Sequence, residues 1–137
     1  HISNIMIKNK KLCLIDSQDA AFGNVAYDLA SLIDDVRLKT SKRFKQDIFE
    51  EYIKTNKKMN IENFKNDFEI LSVLRNLKII GIFTRLSVRD KKNNYLKLIP
   101  YAWKLIEQRT EKNKKFIELK AILDKYFSKK KRSKYEN

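Results

Sequence analysis

Asn4-Ile5-Met6-Ile7-Lys8-Asn9-Lys10-Lys11-Leu12-Cys13-Leu14-Ile15-Asp16 is the stretch on which the rest of the chain turns. Two apolar runs, residues 5–7 and 12–15, flank the polar turn 8–11, a pattern that predicts a tight β-hairpin. A hairpin closed there brings its outer ends together, and those ends carry Asn4 and Asp16. An amide oxygen and a carboxylate are the hard donors that Mg2+ prefers when it also holds a nucleotide's phosphates. Cys13 alternates with Leu12 and Leu14, so it reads as a small buried hydrophobe rather than a nucleophile.

Away from the hairpin the composition is that of a helical protein. Only two glycines and one proline occur in 137 residues, which favours helix over a many-turned β fold and suits one domain with a moderate core. The formal charge of +14 raises the question of a polyanionic partner. Lysine greatly outnumbers arginine, the residue suited to bidentate contacts with phosphate or guanine, so a solvated surface accounts for the charge better. One cysteine excludes an internal disulfide, and a single His and Cys are too few for a structural zinc site. No apolar run approaches the roughly 20 residues of a membrane span. The expected compartment is the cytoplasm, with no membrane partner.

Helical periodicity then runs through the chain. The segment 17–24, with Gly23, reads as a loop whose polar Gln18 and Asp19 face the cleft; Asp19 reads equally as a loop anchor or helix cap. Residues 25–38 predict a first helix. Thr40 or Ser41 caps a second, with apolar positions at Phe44, Ile48, Phe49, Tyr52 and Ile53, and 55–60 is a connection. The helix predicted over 61–88 is apolar around most of its axis, yet Arg75, Lys78, Arg85 and Arg89 fall within about an 80° sector of it. Ion pairing with Asp19, Asp28, Asp34 or Asp35 is the preferred explanation; the alternative is a basic wall facing an anionic substrate. Gly81 predicts a break or a close helix contact. Residues 98–108, with Pro100 in the first turn and Trp103 as a core residue, predict another helix, and 116–127 the last. The basic run 129–134 reads as a frayed end.

The stretch Ile15-Asp16-Ser17-Gln18-Asp19-Ala20, followed by Gly23 and Tyr27-Asp28-Leu29-Ala30-Ser31-Leu32, resembles the aminoglycoside phosphotransferase and choline kinase family, relatives of the protein kinases. In that family a His-x-Asp loop with an Asn after four residues precedes a hairpin and an Ile-Asp metal turn. Asn4 matches the loop Asn and Asp16 the metal Asp. The form is closest to the anomeric sugar kinases for N-acetylmuramic acid or N-acetylglucosamine, apart from Ser17, where that branch usually has Phe. Arg75 through Gly81, Phe83, Arg85-Leu86 and Tyr95-Leu96 extend the likeness.

The resemblance implies a mainly α fold with a short β-hairpin, the C-terminal lobe of a protein-kinase-like α+β fold. Its parts would be the catalytic-loop remainder and metal hairpin (1–24), a helical subdomain (25–128) and a basic tail (129–137). It implies ATP and Mg2+, with Asn4 and Asp16 holding the metal, and a sugar as the other substrate. Asp28 would brace the catalytic loop, and His1 would border the acceptor pocket. Arg75, Arg85 and Arg89 are where a lactyl carboxylate would be told from its absence. The catalytic Asp is expected two residues before His1, with a His four before it. No Gly-rich loop or Lys-bearing strand for ATP is present, so the partner of this lobe would be the N-terminal lobe of the same protein, and these residues alone should be inactive. The rival readings are a truncated kinase relic that binds without phosphorylating, and a basic helical nucleic-acid-binding module. Nucleic acid is not the expected partner.

Overall fold

A computed structural model describes residues 1–18, 21–111 and 113–135. Asp19 lies outside the described residues. The chain divides into two compact units, His1–Phe68 and Glu69–Asn137.

The first unit opens with a 3-10 turn, Ile2–Asn4, that runs into the antiparallel hairpin β1 (Ile5–Lys8) and β2 (Lys11–Leu14). Ile5 pairs with Leu14, Met6 with Cys13, Ile7 with Leu12 and Lys8 with Lys11. Asn9 and Lys10 turn the chain with φ of 51° and 60°. Positive φ at both central residues is the type I′ geometry that matches strand twist, and Asn tolerates it well. The Ile15 N–H donates to the Asn4 carbonyl at 3.0 Å, so pairing continues past the strands to the residue before Asp16. Ile7, Leu12 and Leu14 are exposed, and Cys13 is half-buried rather than buried.

Helix α1 (Ala26–Ile33) starts where Asn24 accepts from the Ala26 N–H at 2.9 Å, while the Asn24 amide donates to Asp67 at 2.6 Å. It ends five residues before the predicted boundary at Leu38. The cause lies in Asp34 and Asp35: carboxylates oppose the negative end of the helix dipole, and Asp35 instead accepts from the Arg37 N–H at 3.0 Å, a local turn of its own. Helix α2 (Lys42–Thr55) begins at Ser41, whose hydroxyl accepts from the Phe44 N–H at 3.1 Å. Its Phe49 packs on Phe64 and Phe68, ring centroids 5.8 and 4.8 Å apart, and Tyr52 stacks on Phe64 at 5.3 Å. Each of these buried phenylalanines contributes about 1.5–3 kcal/mol by leaving water.

Helix α3 (Ile61–Asp90) starts where Asn60 accepts from the Asn63 N–H and runs thirty residues. It passes through Gly81 without the expected break, and a Cβ there would meet nothing within 4 Å, so there is no close contact either. Lys91, at φ 56°, terminates it in the left-handed conformation that commonly follows a helix.

In the second unit α4 (Ile99–Thr110) carries Pro100 in its first turn and buries Trp103, Leu105 and Ile106. Helix α5 (Ile117–Tyr126) follows a 3-10 turn and buries Leu123, and Phe127 just beyond it lies 5.1 Å from Trp103. The basic run beyond it is not frayed. Ser128 caps a short helix α6 (Lys129–Arg132), and Arg132 is 8% exposed. Its guanidinium sits 4.8 Å from the Trp103 ring centroid and donates to Glu107 at 2.7 Å and Asp124 at 2.6 Å. Opposite charge and an aromatic face on one side chain dock what composition alone marks as a loose end. Among the described residues the architecture is mainly α with one β-hairpin.

Candidate functional site

The hairpin places its two outer ends side by side. Asn4 Nδ2 donates to Asp16 Oδ2 at 3.1 Å, across twelve positions of sequence. Gln18 Nε2 donates to the other oxygen, Oδ1, at 2.6 Å. Asp16 itself sits at φ 65°, a left-handed conformation that costs most L residues about 1–2 kcal/mol. The side chain is exposed to solvent.

The donor set suits a hard cation. Because Asn4 donates through Nδ2, its Oδ1 remains as an oxygen donor beside a carboxylate. Among the described residues no group of three or more His, Cys, Asp or Glu side chains is placed to hold a metal. Two oxygen donors with the remaining positions left to water and phosphate is the way Mg2+ sits in nucleotide sites.

The strand end is anchored from below by a residue that the sequence reading did not single out for this. Asp35, 1% exposed, accepts from the Ile2 N–H at 3.0 Å through Oδ2, and from the Arg37 N–H and guanidinium at 3.0 and 3.2 Å through Oδ1. Burial pushes its carboxyl up, but the backbone N–H groups of Arg37 and Ile2 and the Arg37 charge outweigh that and hold it below its ordinary value of 3.8. Asp35 thus holds the backbone two residues before Asn4, and Asp28, seven residues before Asp35, is exposed. Its neighbour Asp34, equally buried, meets Lys45 at 2.9 Å. The signal was available: two adjacent acids at the end of an apolar helix have to find partners.

His1 is exposed, and its carbonyl accepts from the Asn4 N–H at 2.9 Å. The basic sector of α3 is not uniform. Arg75 is buried, whereas Arg85 and Arg89 are exposed. Arg89 pairs with its neighbour Asp90 at 2.6 Å, a contact outside the four acids named for it.

The comparisons with known proteins meet this geometry at the hairpin. Residues 1–60 match the model of the phosphotransferase enzyme family. These sixty residues are similar to that family. They contain Asn4, Asp16, Gln18 and Asp35, and the family carries with it a kinase-like fold. Across more of the chain the similarity is to curated proteins named N-acetylmuramate/N-acetylglucosamine kinase. The one from Neisseria meningitidis serogroup B is 32% identical over 105 residues, 72% of this chain and 31% of that protein. The one from Caulobacter vibrioides is 30% identical over 113 residues, 82% of this chain and 31% of its own length. That from Pseudomonas aeruginosa is 29% identical over 126 residues, 88% and 37%. The chain therefore spans about a third of the length of these relatives. No helix of the described residues is long and apolar enough to cross a membrane.

Proposed function

We propose that this chain is part of an ATP- and Mg2+-dependent kinase that phosphorylates the anomeric hydroxyl of N-acetylmuramate or N-acetylglucosamine in the cytoplasm. The observation that carries the proposal is the pairing of Asn4 with Asp16 at 3.1 Å, within residues that match the phosphotransferase family. The names of the relatives support the sugar.

In this reading Asn4 Oδ1 and the Asp16 carboxylate hold the metal, which supplies charge neutralisation on the nucleotide phosphates. The hairpin register, with Ile5 opposite Leu14 and the Ile15 N–H donating to the Asn4 carbonyl, sets the two donors side by side. Asp35 holds the backbone two residues before Asn4 and so fixes the loop from which the donor projects. Such chemistry asks mainly for placement and charge, which a rigid hairpin end provides. The group that deprotonates the sugar hydroxyl is assigned to an Asp two residues before His1, and the nucleotide lobe to residues beyond this chain.

The test is ATP-dependent formation of a sugar 1-phosphate by the complete protein, followed by phosphorus NMR with each sugar as acceptor. Product with either sugar, abolished by Asp16→Asn, is the expected result. Undiminished turnover in that variant would remove Asp16 from the metal role.

A further inference from the structure

We propose that Gln18 is the positioning residue of the cation site: it acts through Asp16, setting the plane of the carboxylate before any cation arrives. The inference rests on the kinase reading for the identity of the cation.

Asp16 is exposed and in a left-handed backbone conformation, so packing does little to restrict its side chain. Among the described residues two amides restrain it, one on each oxygen: Gln18 Nε2 on Oδ1 at 2.6 Å and Asn4 Nδ2 on Oδ2 at 3.1 Å. Each carboxylate oxygen offers about two lone-pair directions. One amide per oxygen therefore fixes the orientation and leaves a direction free on each for a metal. Both donors are neutral, so the negative charge that attracts the cation is not cancelled, as it would be by Lys or Arg. Asn4 is itself a candidate ligand, which leaves Gln18 as the restraint outside the ligand pair.

The consequence is a penalty on cation affinity rather than on folding. Partners that orient a metal ligand typically change metal affinity by about 10–100-fold. An exposed side chain with one contact belongs at the low end of that range, so Gln18→Ala and the near-isosteric Gln18→Met are each expected to weaken cation binding about tenfold.

The experiment is a Mn2+ titration of the complete protein without nucleotide, read by the electron spin resonance of free Mn2+. Wild type, Gln18→Ala, Gln18→Met and Asp16→Asn are compared, with thermal unfolding of each. The expected result is about a tenfold rise in Kd for both Gln18 variants, an unchanged melting temperature, and a KM for Mg2+ that rises while kcat at saturating Mg2+ holds. Loss of Mn2+ binding in Asp16→Asn with wild-type affinity in both Gln18 variants would overturn the role of Gln18 and leave the kinase site standing. Wild-type affinity in Asp16→Asn would overturn the site itself, and the role of Gln18 with it.

Discussion

Asp16 and Asp124 are both exposed carboxylates that accept two side-chain hydrogen bonds, and they differ in what donates. Asp16 takes its bonds from two neutral amides, Asn4 and Gln18. Asp124 takes them from two cations, Lys120 and Arg132, which hold its carboxyl below the ordinary value, Lys120 most strongly. Amides orient a carboxylate and leave its charge uncompensated; cations satisfy the charge and leave nothing for a ligand. On the proposed reading the first arrangement suits a cation, whereas the second joins α5 to α6 within the fold. Their surroundings agree, since Asp16 stands at the end of a hairpin with exposed strands, and Arg132 is buried against Trp103.

That contrast breaks if the two clusters respond alike to substitution. Asp16→Asn in the complete protein should lower phosphotransfer by about 10³-fold or more. Its stability should stay within about 0.5 kcal/mol of wild type, the range for an exposed position. Arg132→Ala should do the reverse. Breaking a buried ion pair costs roughly 3–5 kcal/mol, but Glu107 and Asp124 are partly open to water, so about 2 kcal/mol is expected, measured by urea denaturation. Cation affinity at the hairpin should be unaffected. A stability loss in Asp16→Asn equal to that of Arg132→Ala would make the hairpin cluster structural as well.

Asp35 sharpens the comparison, because it is a buried carboxylate whose work is to hold the loop that carries Asn4. Its folded pKa lies below 3.8, so its contribution to stability is complete above that value and is lost as the pH falls through the folded pKa. Asp35→Asn should therefore flatten the fall in stability below about pH 4, and lower stability near neutral pH by about 1–2 kcal/mol. Acid titrations followed by circular dichroism would show it. Parallel acid curves in the two proteins would deny Asp35 this role. The smallest effect is expected at Gly81. The helix is continuous there and open space surrounds it, so Gly81→Ala should raise stability by about 0.5–1 kcal/mol, against the loss that a packed or strained glycine would show.

Much of this was legible in the sequence where local signals agree. The polar turn 8–11 between apolar runs specifies the hairpin, and the hairpin alone puts Asn4 beside Asp16. Ser41 marks the start of α2. The apolar spacing of α3 survives Gly81 because one glycine costs less than thirty residues of continuous helix gain. What was hidden depends on partners distant in sequence. The run Lys129 to Arg132 has no apolar residue to betray burial, yet Arg132 finds Trp103 29 positions earlier and Glu107 25 positions earlier. Asp35 likewise could be seen as an acid but not as the acceptor of the Ile2 N–H, 33 positions away.

The central claim is that the end of the hairpin binds the cation, and paramagnetic broadening tests it most directly. Mn2+ added to the 15N-labelled complete protein should broaden the side-chain amide signals of Asn4 and Gln18 first, and leave those of Asn76 and Asn113 sharp until far higher concentrations. Broadening of Asn76 or Asn113 at the same Mn2+ level, or no preferential effect on Asn4 and Gln18, would contradict it.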